Sequence, residues 1–306
     1  MDPILIDLIY VKIYWYSVIV LLAFIVAGYV AMKEADKYGI SEDDFINFVF
    51  LLVPIALIGA RLYYVAFNWD FYQDNLAQII RVWEGGLAIH GGILFGLLWI
   101  IYFARSQKIR LLRFLDYIAP ALLLGQAIGR WGNFFNQEAY GSVTSAERLQ
   151  SLFIPEFIIE GMNIGGIYHH PTFLYEFIWC VIGYFVLIIV RKNLKYLKVG
   201  QLTGLGLIWL GAGRYYIEGM RLDSLMLGDY RIAQIVSIVM VFVGVFIFLS
   251  VMRRSRFDNL YREKEVDPLK IDKDLEYKTT TRDNNEEVID DDFLDEDLDK
   301  ELTDEN

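Results

Sequence analysis

Between Gly129 and Gly141 the chain reads Gly-Arg-Trp-Gly-Asn-Phe-Phe-Asn-Gln-Glu-Ala-Tyr-Gly, directly after the apolar run Ile118 to Ile128. Arg130, Asn133, Asn136 and Glu138 therefore stand where solvation alone favours almost any other residue. Similar polar groups interrupt other apolar stretches: Arg61, His90 in His90-Gly91-Gly92, His170 and Glu176, and Arg214, Glu218 and Arg221. A guanidinium stays charged and offers a planar fork matched to phosphate oxygens, so Arg130 and Arg214 suit a clamp on an anionic phosphate head group. Histidine is the side chain suited to taking a proton near neutral pH, and the two glycines after His90 leave its ring unobstructed. Asn133, Asn136 and Glu138 suit either orienting ligand hydroxyls or fixing Arg130 by hydrogen bonds, and their types leave both roles open. The glycines and amides of this stretch predict that the backbone bends here and exposes its N–H groups.

An arginine in the middle of a membrane helix costs about 2.5 to 3.5 kcal/mol by insertion scales, so each one asks for a partner or a water-filled cavity. On a helix, Arg214, Glu218 and Arg221 project from one face. Arg214 with Glu218 can serve purely as an ion pair that locks helices together, and Arg221 can extend to the interface. Shared depth argues for more than that, because independent structural pairs have no reason to gather at one end of several spans. Tyr16 and its neighbour Trp15 read most simply as residues of an interfacial aromatic belt. Cys180 is the one cysteine, so a disulfide within the chain is excluded, and its apolar setting argues against a nucleophilic thiol.

The elements that hold these groups are membrane helices. Of 306 residues, 56% are hydrophobic and 16% aromatic, more than a single soluble core accommodates. Seven apolar segments, near 13–32, 45–66, 87–104, 114–129, 172–190, 202–219 and 230–252, approach the roughly 20 residues that cross about 30 Å of hydrocarbon. The fold class expected is an all-α integral membrane protein. Lys12 and two aspartates precede the first segment without a small-residue cleavage site, so it is read as a retained span. Lys33 and Lys37, then Arg105, Lys108, Arg110 and Arg113, then Arg191, Lys192, Lys195 and Lys198, then Arg253, Arg254 and Arg256 follow alternate spans. The positive-inside rule then places the N-terminus outside and the C-terminus in the cytoplasm. Residues 130–171 form the sizeable extracytoplasmic loop, a small head or interfacial helix built on the apolar patch Leu152 to Ile159.

Net charge is −11, yet residues 258–306 carry 20 Asp/Glu against 7 Lys/Arg, which leaves the first 257 near +2. The chain thus divides into a membrane domain, 1–257, and an acidic tail, 258–306, expected to be disordered. No basic face points to nucleic acid.

The run from Gly129 to Gly141 matches in full the signature Gly-Arg-x-Gly-Asn-Phe-x-Asn-x-Glu-x-x-Gly, and on it the chain resembles the bacterial prolipoprotein diacylglyceryl transferases over about residues 10–255. His90-Gly91-Gly92, His170-Pro171-Thr172-Phe173-Leu174-Tyr175-Glu176, and Arg214 with Glu218 and Arg221 agree with it, as does Tyr16 on the first span. The resemblance implies a multi-pass enzyme of the bacterial plasma membrane with its active site toward the extracytoplasmic leaflet. It implies transfer of a diacylglyceryl group from phosphatidylglycerol to the lipobox cysteine thiol in a prolipoprotein signal peptide, with release of glycerol phosphate. Membrane lipid is the setting, and no cofactor, metal or nucleic acid is implied. The catalytic set it implies is His90, Arg130, Arg214 and Glu218. Arg130 and Arg214 take the phosphate, and His90 takes the thiol proton or holds the head group. Tyr16, Asn133, Asn136, Glu138, Gly141, His170 and Arg221 are the substrate-binding set. The nucleophile belongs to the substrate, so Cys180 needs no role. A transporter of lipid or a small anion is the rival reading; it predicts polar residues through the full depth of the bilayer and paired repeats. Truncation after Arg256 should leave transfer to a lipobox peptide at its full rate, and an inactive truncated protein would show the tail to be required.

Overall fold

The structure, a computed structural model, describes residues 2–7, 12–35, 40–194 and 197–252. Lys37, Lys195, Arg253, Arg254, Arg256 and the acidic tail lie outside the described residues. Among the described residues seven helices have 18 residues or more: α1 (Trp15–Ala35), α2 (Glu42–Phe67), α4 (Ile89–Ser106), α5 (Leu111–Asn136), α8 (Thr172–Asn193), α9 (Gln201–Met220) and α10 (Ile232–Met252). Short helices α3 (Trp69–Tyr72), α6 (Ala146–Ser151) and α7 (Glu156–Gly161) lie in the connections. So do three two-stranded hairpins: β1 (Ile4–Asp7) with β2 (Lys12–Tyr14), β3 (Asn163–Ile164) with β4 (Ile167–Tyr168), and β5 (Met226–Leu227) with β6 (Tyr230–Arg231). All the long helices except α9 are long and apolar enough to cross a membrane. α9 is less apolar, carrying Arg214 and Glu218 among glycines and tyrosines.

α1 packs antiparallel to α5, and α8 antiparallel to α9, as their contacts establish. Tyr117 Oη of α5 donates to the Ala31 carbonyl of α1 at 2.6 Å, while at the other end of the pair Trp15 stacks on Phe135 with ring centroids 4.9 Å apart. In α8 and α9 the Trp179 and Trp209 rings stack at 4.6 Å, and each indole N–H donates to the other's carbonyl at 2.9 Å. Lipid tails give no hydrophobic drive between helices, so close backbone approach and interhelical hydrogen bonds must fix these registers. Glycine permits close crossings: a methyl on Gly204 would stand 2.7 Å from the Gly244 carbonyl oxygen, and a methyl on Gly244 equally close to that of Gly204. Of the six helices apolar enough to cross a membrane, α5 has the most buried apolar stretch, 44% against 11% for α1 and 17% for α10.

Two expectations need correction. The signature stretch does not bend away from the helix: α5 continues through Asn136, and the break comes at Gln137, in the left-handed region at φ 48°. A helix accommodates these residues because Arg130 and Asn133 share one face while Trp131 and Phe134 share another, where both meet Phe173. The N–H groups of this stretch therefore stay in the helical ladder, and the loop starts at 137 rather than 130. After Gln137, Leu149, Ile154, Ile158, Ile159 and Met162 pack on Phe134 and Phe173.

At the end of the bundle remote from the signature, the buried carboxylate of Asp116 on α5 accepts from Gly200 N at 2.5 Å and from Thr203 N and Oγ1 at 2.6 and 2.5 Å. Helix starts leave N–H groups without intrahelical partners, and here another helix supplies the cap. Asp116 thereby sets the register of α9 against α5. Asp116→Ala should lower unfolding stability in micelles by about 3 kcal/mol, through donors left buried and unpaired; an unchanged unfolding midpoint would contradict this role.

Candidate active site

Arg130 lies six residues before the end of α5, Arg214 six before the end of α9, and Glu176 four after the start of α8. At 1.5 Å per residue, the parallel run of α5 and α9, with α8 antiparallel to both, brings all three to within about one turn of the same depth. Arg130 Nη2 is 2.6 Å from Glu176 Oε1, and Arg214 Nη1 is 3.4 Å from the same oxygen. Arg214 Nη2 lies 3.1 Å from Glu218 Oε2, which Arg221 Nη1 also approaches at 3.3 Å. Arg221 Nε donates to Asp223 Oδ1 at 3.0 Å, and Asp223 Oδ2 accepts from the Ala139 N–H at 3.1 Å. One chain of charge thus runs from the signature across α8 and α9 and back to the signature.

Burial is unequal along that chain. The Glu176 and Glu218 side chains are 8% and 3% exposed, whereas those of Arg130, Arg214 and Arg221 are 17%, 29% and 15% exposed. The carboxylates are the more buried members of the network and the arginine side chains the more exposed. Arg130 Nε is buried and has no hydrogen-bond partner among the described residues. A charged donor left buried and unpaired is costly, and an anion entering here would satisfy it.

A second group closes the end of α5. Asn133 Nδ2 and Asn136 Nδ2 both donate to Glu138 Oε1, at 2.9 and 3.4 Å, so the two amides fix Glu138 and not Arg130. Beyond them a small backbone sheet forms. Gly141 N donates to His170 O at 2.9 Å, His170 N to Ser142 O at 3.0 Å, and Ser142 N to Met220 O at 3.0 Å. Gly141 is bridged to Arg221 in this way, and a Cβ on it would stand 2.9 Å from the Cβ of His170, which is why glycine is needed there. His169 Nδ1 donates to the Gly141 carbonyl at 3.0 Å, which requires the tautomer protonated at Nδ1. Thr172 Oγ1 donates to the Ala139 carbonyl.

Of the residues expected to form the site, the structure joins Arg130, Arg214, Glu218 and Arg221 into one network, with Gly141 holding Arg221 by its backbone. Asn133, Asn136 and Glu138 form their own group. Tyr16 is exposed, with its ring against Gly132 of the signature: a Cβ there would lie 2.7 Å from Tyr16 Cδ2. His170 lies in the backbone sheet before α8, with Nδ1 2.9 Å from Tyr175 Oη. His90, exposed on the first turn of α4, lies apart; its ring is 6.1 Å from that of Tyr63, and no hydrogen bond or ion pair joins it to the network among the described residues. Arg221 caps α9 in extended backbone and does not continue the helix.

Two residues outside the expected site set complete the network, Glu176 and Asp223. Glu176 carried a readable signal. It is an acid near the start of an apolar span with no basic residue three or four positions away, so its partner must come from another helix. Asp223 carried none, since an aspartate in the short polar connection after a helix is ordinary. Among the described residues no cluster of three or more His, Cys, Asp or Glu side chains is placed to hold a metal ion.

The family model for prolipoprotein diacylglyceryl transferase matches residues 3–250. Relatives named phosphatidylglycerol–prolipoprotein diacylglyceryl transferase include one from Listeria welshimeri, 42% identical over 261 residues, covering 85% of this chain and 93% of its own length. One from Streptococcus suis is 43% identical over 256 residues, covering 84% of this chain and 94% of its own length. One from Enterococcus faecalis is 44% identical over 257 residues, covering 83% and 92%.

Outside the spans, protonation is shaped by neighbours. Burial would raise the Asp223 carboxyl, but the hydrogen bond and charge of Arg221 and the Ala139 N–H outweigh it and hold the group below the usual carboxylate range. His170 is lowered by partial burial and then by the charge of Arg148. A histidine lowered in the folded state favours folding above its unfolded pKa of about 6.5 and loses that contribution as pH falls below it. Asp223 stays ionised throughout this window. Protection factors at residues 141–144 and 168–170, taken after correcting for the intrinsic slowing of amide exchange at lower pH, should therefore fall between pH 7 and 5.5. Arg148→Gln should raise the His170 pKa in an NMR titration, and an unmoved titration would overturn this assignment.

Proposed function

The chain belongs to the prolipoprotein diacylglyceryl transferase family, and on that footing we propose that it transfers the diacylglyceryl group of phosphatidylglycerol to the lipobox cysteine of a prolipoprotein. It is a transferase of lipoprotein biosynthesis, and the transporter reading has no support from its relatives. The thiolate sulfur forms a bond to the glyceryl carbon, the bond from that carbon to the phosphate oxygen breaks, and glycerol phosphate leaves with the electron pair. The observation that carries this reading is the inverted burial of the charged network. The Arg130 and Arg214 side chains are more exposed than the Glu176 carboxylate they share.

Negative charge grows on the leaving phosphate as the carbon–oxygen bond lengthens, and preorganised donors aimed at that charge lower the barrier. Arg130 offers its unpaired Nε together with Nη2, and Arg214 offers the fork now shared between Glu176 and Glu218. Arg221 holds Glu218 from the far side, so the second carboxylate stays occupied when the phosphate arrives. Glu138, fixed by Asn133 and Asn136 and exposed at the mouth, is placed for the glycerol hydroxyls. His90 meets the thiol or the head group once both substrates fill the space between α4 and the network.

In this reading α9 is the seventh span, tolerated because its charges are paired inward. The end bearing the arginines faces the extracytoplasmic leaflet of the plasma membrane, with the N-terminus outside and residues 1–257 as the catalytic membrane domain. Lys33, Arg105, Lys108, Arg110, Arg113, Arg191 and Lys192 all lie at or beyond the opposite helix ends, which supports that orientation.

Purified protein in phosphatidylglycerol vesicles, given a lipobox peptide, should label the peptide with diacylglycerol. Arg130→Ala and Arg214→Ala should each cut the rate by at least about a hundredfold, the scale of losing a preorganised oxyanion donor. Lysine at either position should restore little, since it lacks the fork. Near-normal rates in both alanine variants would sink the phosphate clamp.

A further inference from the structure

Arg61 of α2 is a charged residue in a membrane span that the phosphate network does not use. It is buried, 6% exposed, and its guanidinium is filled by backbone carbonyls. Nε donates to Ile79 O at 2.8 Å, Nη1 to Gly85 O at 2.7 Å and Gly86 O at 2.8 Å, and Nη2 to Gln78 O at 2.6 Å and Arg81 O at 3.5 Å. Tyr72 packs its ring 5.1 Å from the guanidinium carbon. All five acceptors lie in the connection between α2 and α4, a strap of 3₁₀ turns with exposed Trp69, Leu76, Ile80 and Trp83. Such a segment has little core of its own, so one side chain supplies what a core would.

The strap leads straight into His90. Gly85 and Gly86 adopt φ of 91° and 72°, which other residues resist, and this turns their carbonyls onto Arg61. Two residues on, Ala88 N donates to the carbonyl of Ala60 at 3.0 Å, and Ala88 O accepts from Gly91 N at 3.1 Å and Gly92 N at 3.3 Å to begin α4. A Cβ on Gly59 would stand 2.7 Å from Gly91 O. Three consecutive residues of α2, Gly59, Ala60 and Arg61, therefore hold the backbone on both sides of His90. We propose that Arg61 is a positioning residue for the transfer reaction: by holding the carbonyls of residues 78–86 it fixes the strap, and with it the place of His90 on the first turn of α4. This rests on the reading above in which His90 meets substrate.

The test compares wild type with Arg61→Gln by kinetics and by hydrogen exchange. Arg61→Gln should lower kcat by about tenfold or more with the peptide KM within about twofold, since misplacement of a reacting group costs rate more than binding. Amides 85–92 should exchange at least about ten times faster, with those of 126–136 and 172–180 unchanged. In a His90→Gln background the same substitution should cost under about twofold, because the two act as a unit. Arg61→Gly is too disruptive to be informative, so Gly86→Ala serves as the second variant: it sets a Cβ 2.9 Å from Tyr64 Cε1 and against Arg61, and should reproduce each reading if Arg61→Gln does not fold. Unchanged kcat, an equal loss in the His90→Gln background, or faster exchange spread evenly over the bundle would each overturn the proposal. Absence of transfer by wild type would instead refute the functional reading, and the exchange data would still decide whether Arg61 holds the strap.

Discussion

One carboxylate oxygen, Oε1 of Glu176, receives guanidinium groups from two different helices. Two arginines at this depth of a membrane protein are tolerable only if something anionic stands between them, and removing a partner from a buried pair leaves a charge that the surroundings cannot solvate. Glu176 lets α5 and α9 bring Arg130 and Arg214 together without their charges driving the helices apart. The same arrangement makes the site responsive to a phosphate. A phosphodiester head group carries the same sign as Glu176 and presents more oxygens, so it can share the two forks without leaving either cation unpaired.

The remainder of the bundle serves to keep three helix ends in register at that oxygen. Reciprocal indole bonds between Trp179 and Trp209 fix α8 against α9 one turn inward of Glu176 and Arg214. Asp116 fixes α9 against α5 from the opposite end, by capping the N-terminus of α9. Two glycines of the signature act at contacts: Gly132 admits the ring of Tyr16, and Gly141 admits His170 so that the backbone of Arg221 can be bridged.

Much of this was legible from residue types. Long apolar segments located every long helix to within a few residues, except at the signature end of α5. There, glycines and amides suggested a bend, whereas Arg130 and Asn133 simply occupy one face of a continuing helix while Trp131 and Phe134 occupy the face under the head. Residue spacing on one helix tied Arg214 to Glu218, because that geometry is local, whereas Arg221 reaches Glu218 from the extended residue that ends α9 and not toward the interface. What spacing could not reach was pairing across helices. Glu176 belonged to a motif and was an acid without a neighbour, yet nothing within α8 said that two arginines would share it. Asn133 and Asn136 donate to Glu138 and not to Arg130, a contact made possible by the left-handed turn at Gln137.

The central claim is that the phosphate of phosphatidylglycerol sits between Arg130 and Arg214. Solid-state NMR on protein in phosphatidylglycerol bilayers, with guanidinium nitrogens labelled and phosphorus observed, measures this directly. The account predicts phosphorus within about 4 Å of nitrogens from both arginines, as paired N–H···O contacts require, with neither coupling surviving in the matching alanine variant. Phosphorus coupled to neither arginine, or to arginines outside this network alone, would contradict it.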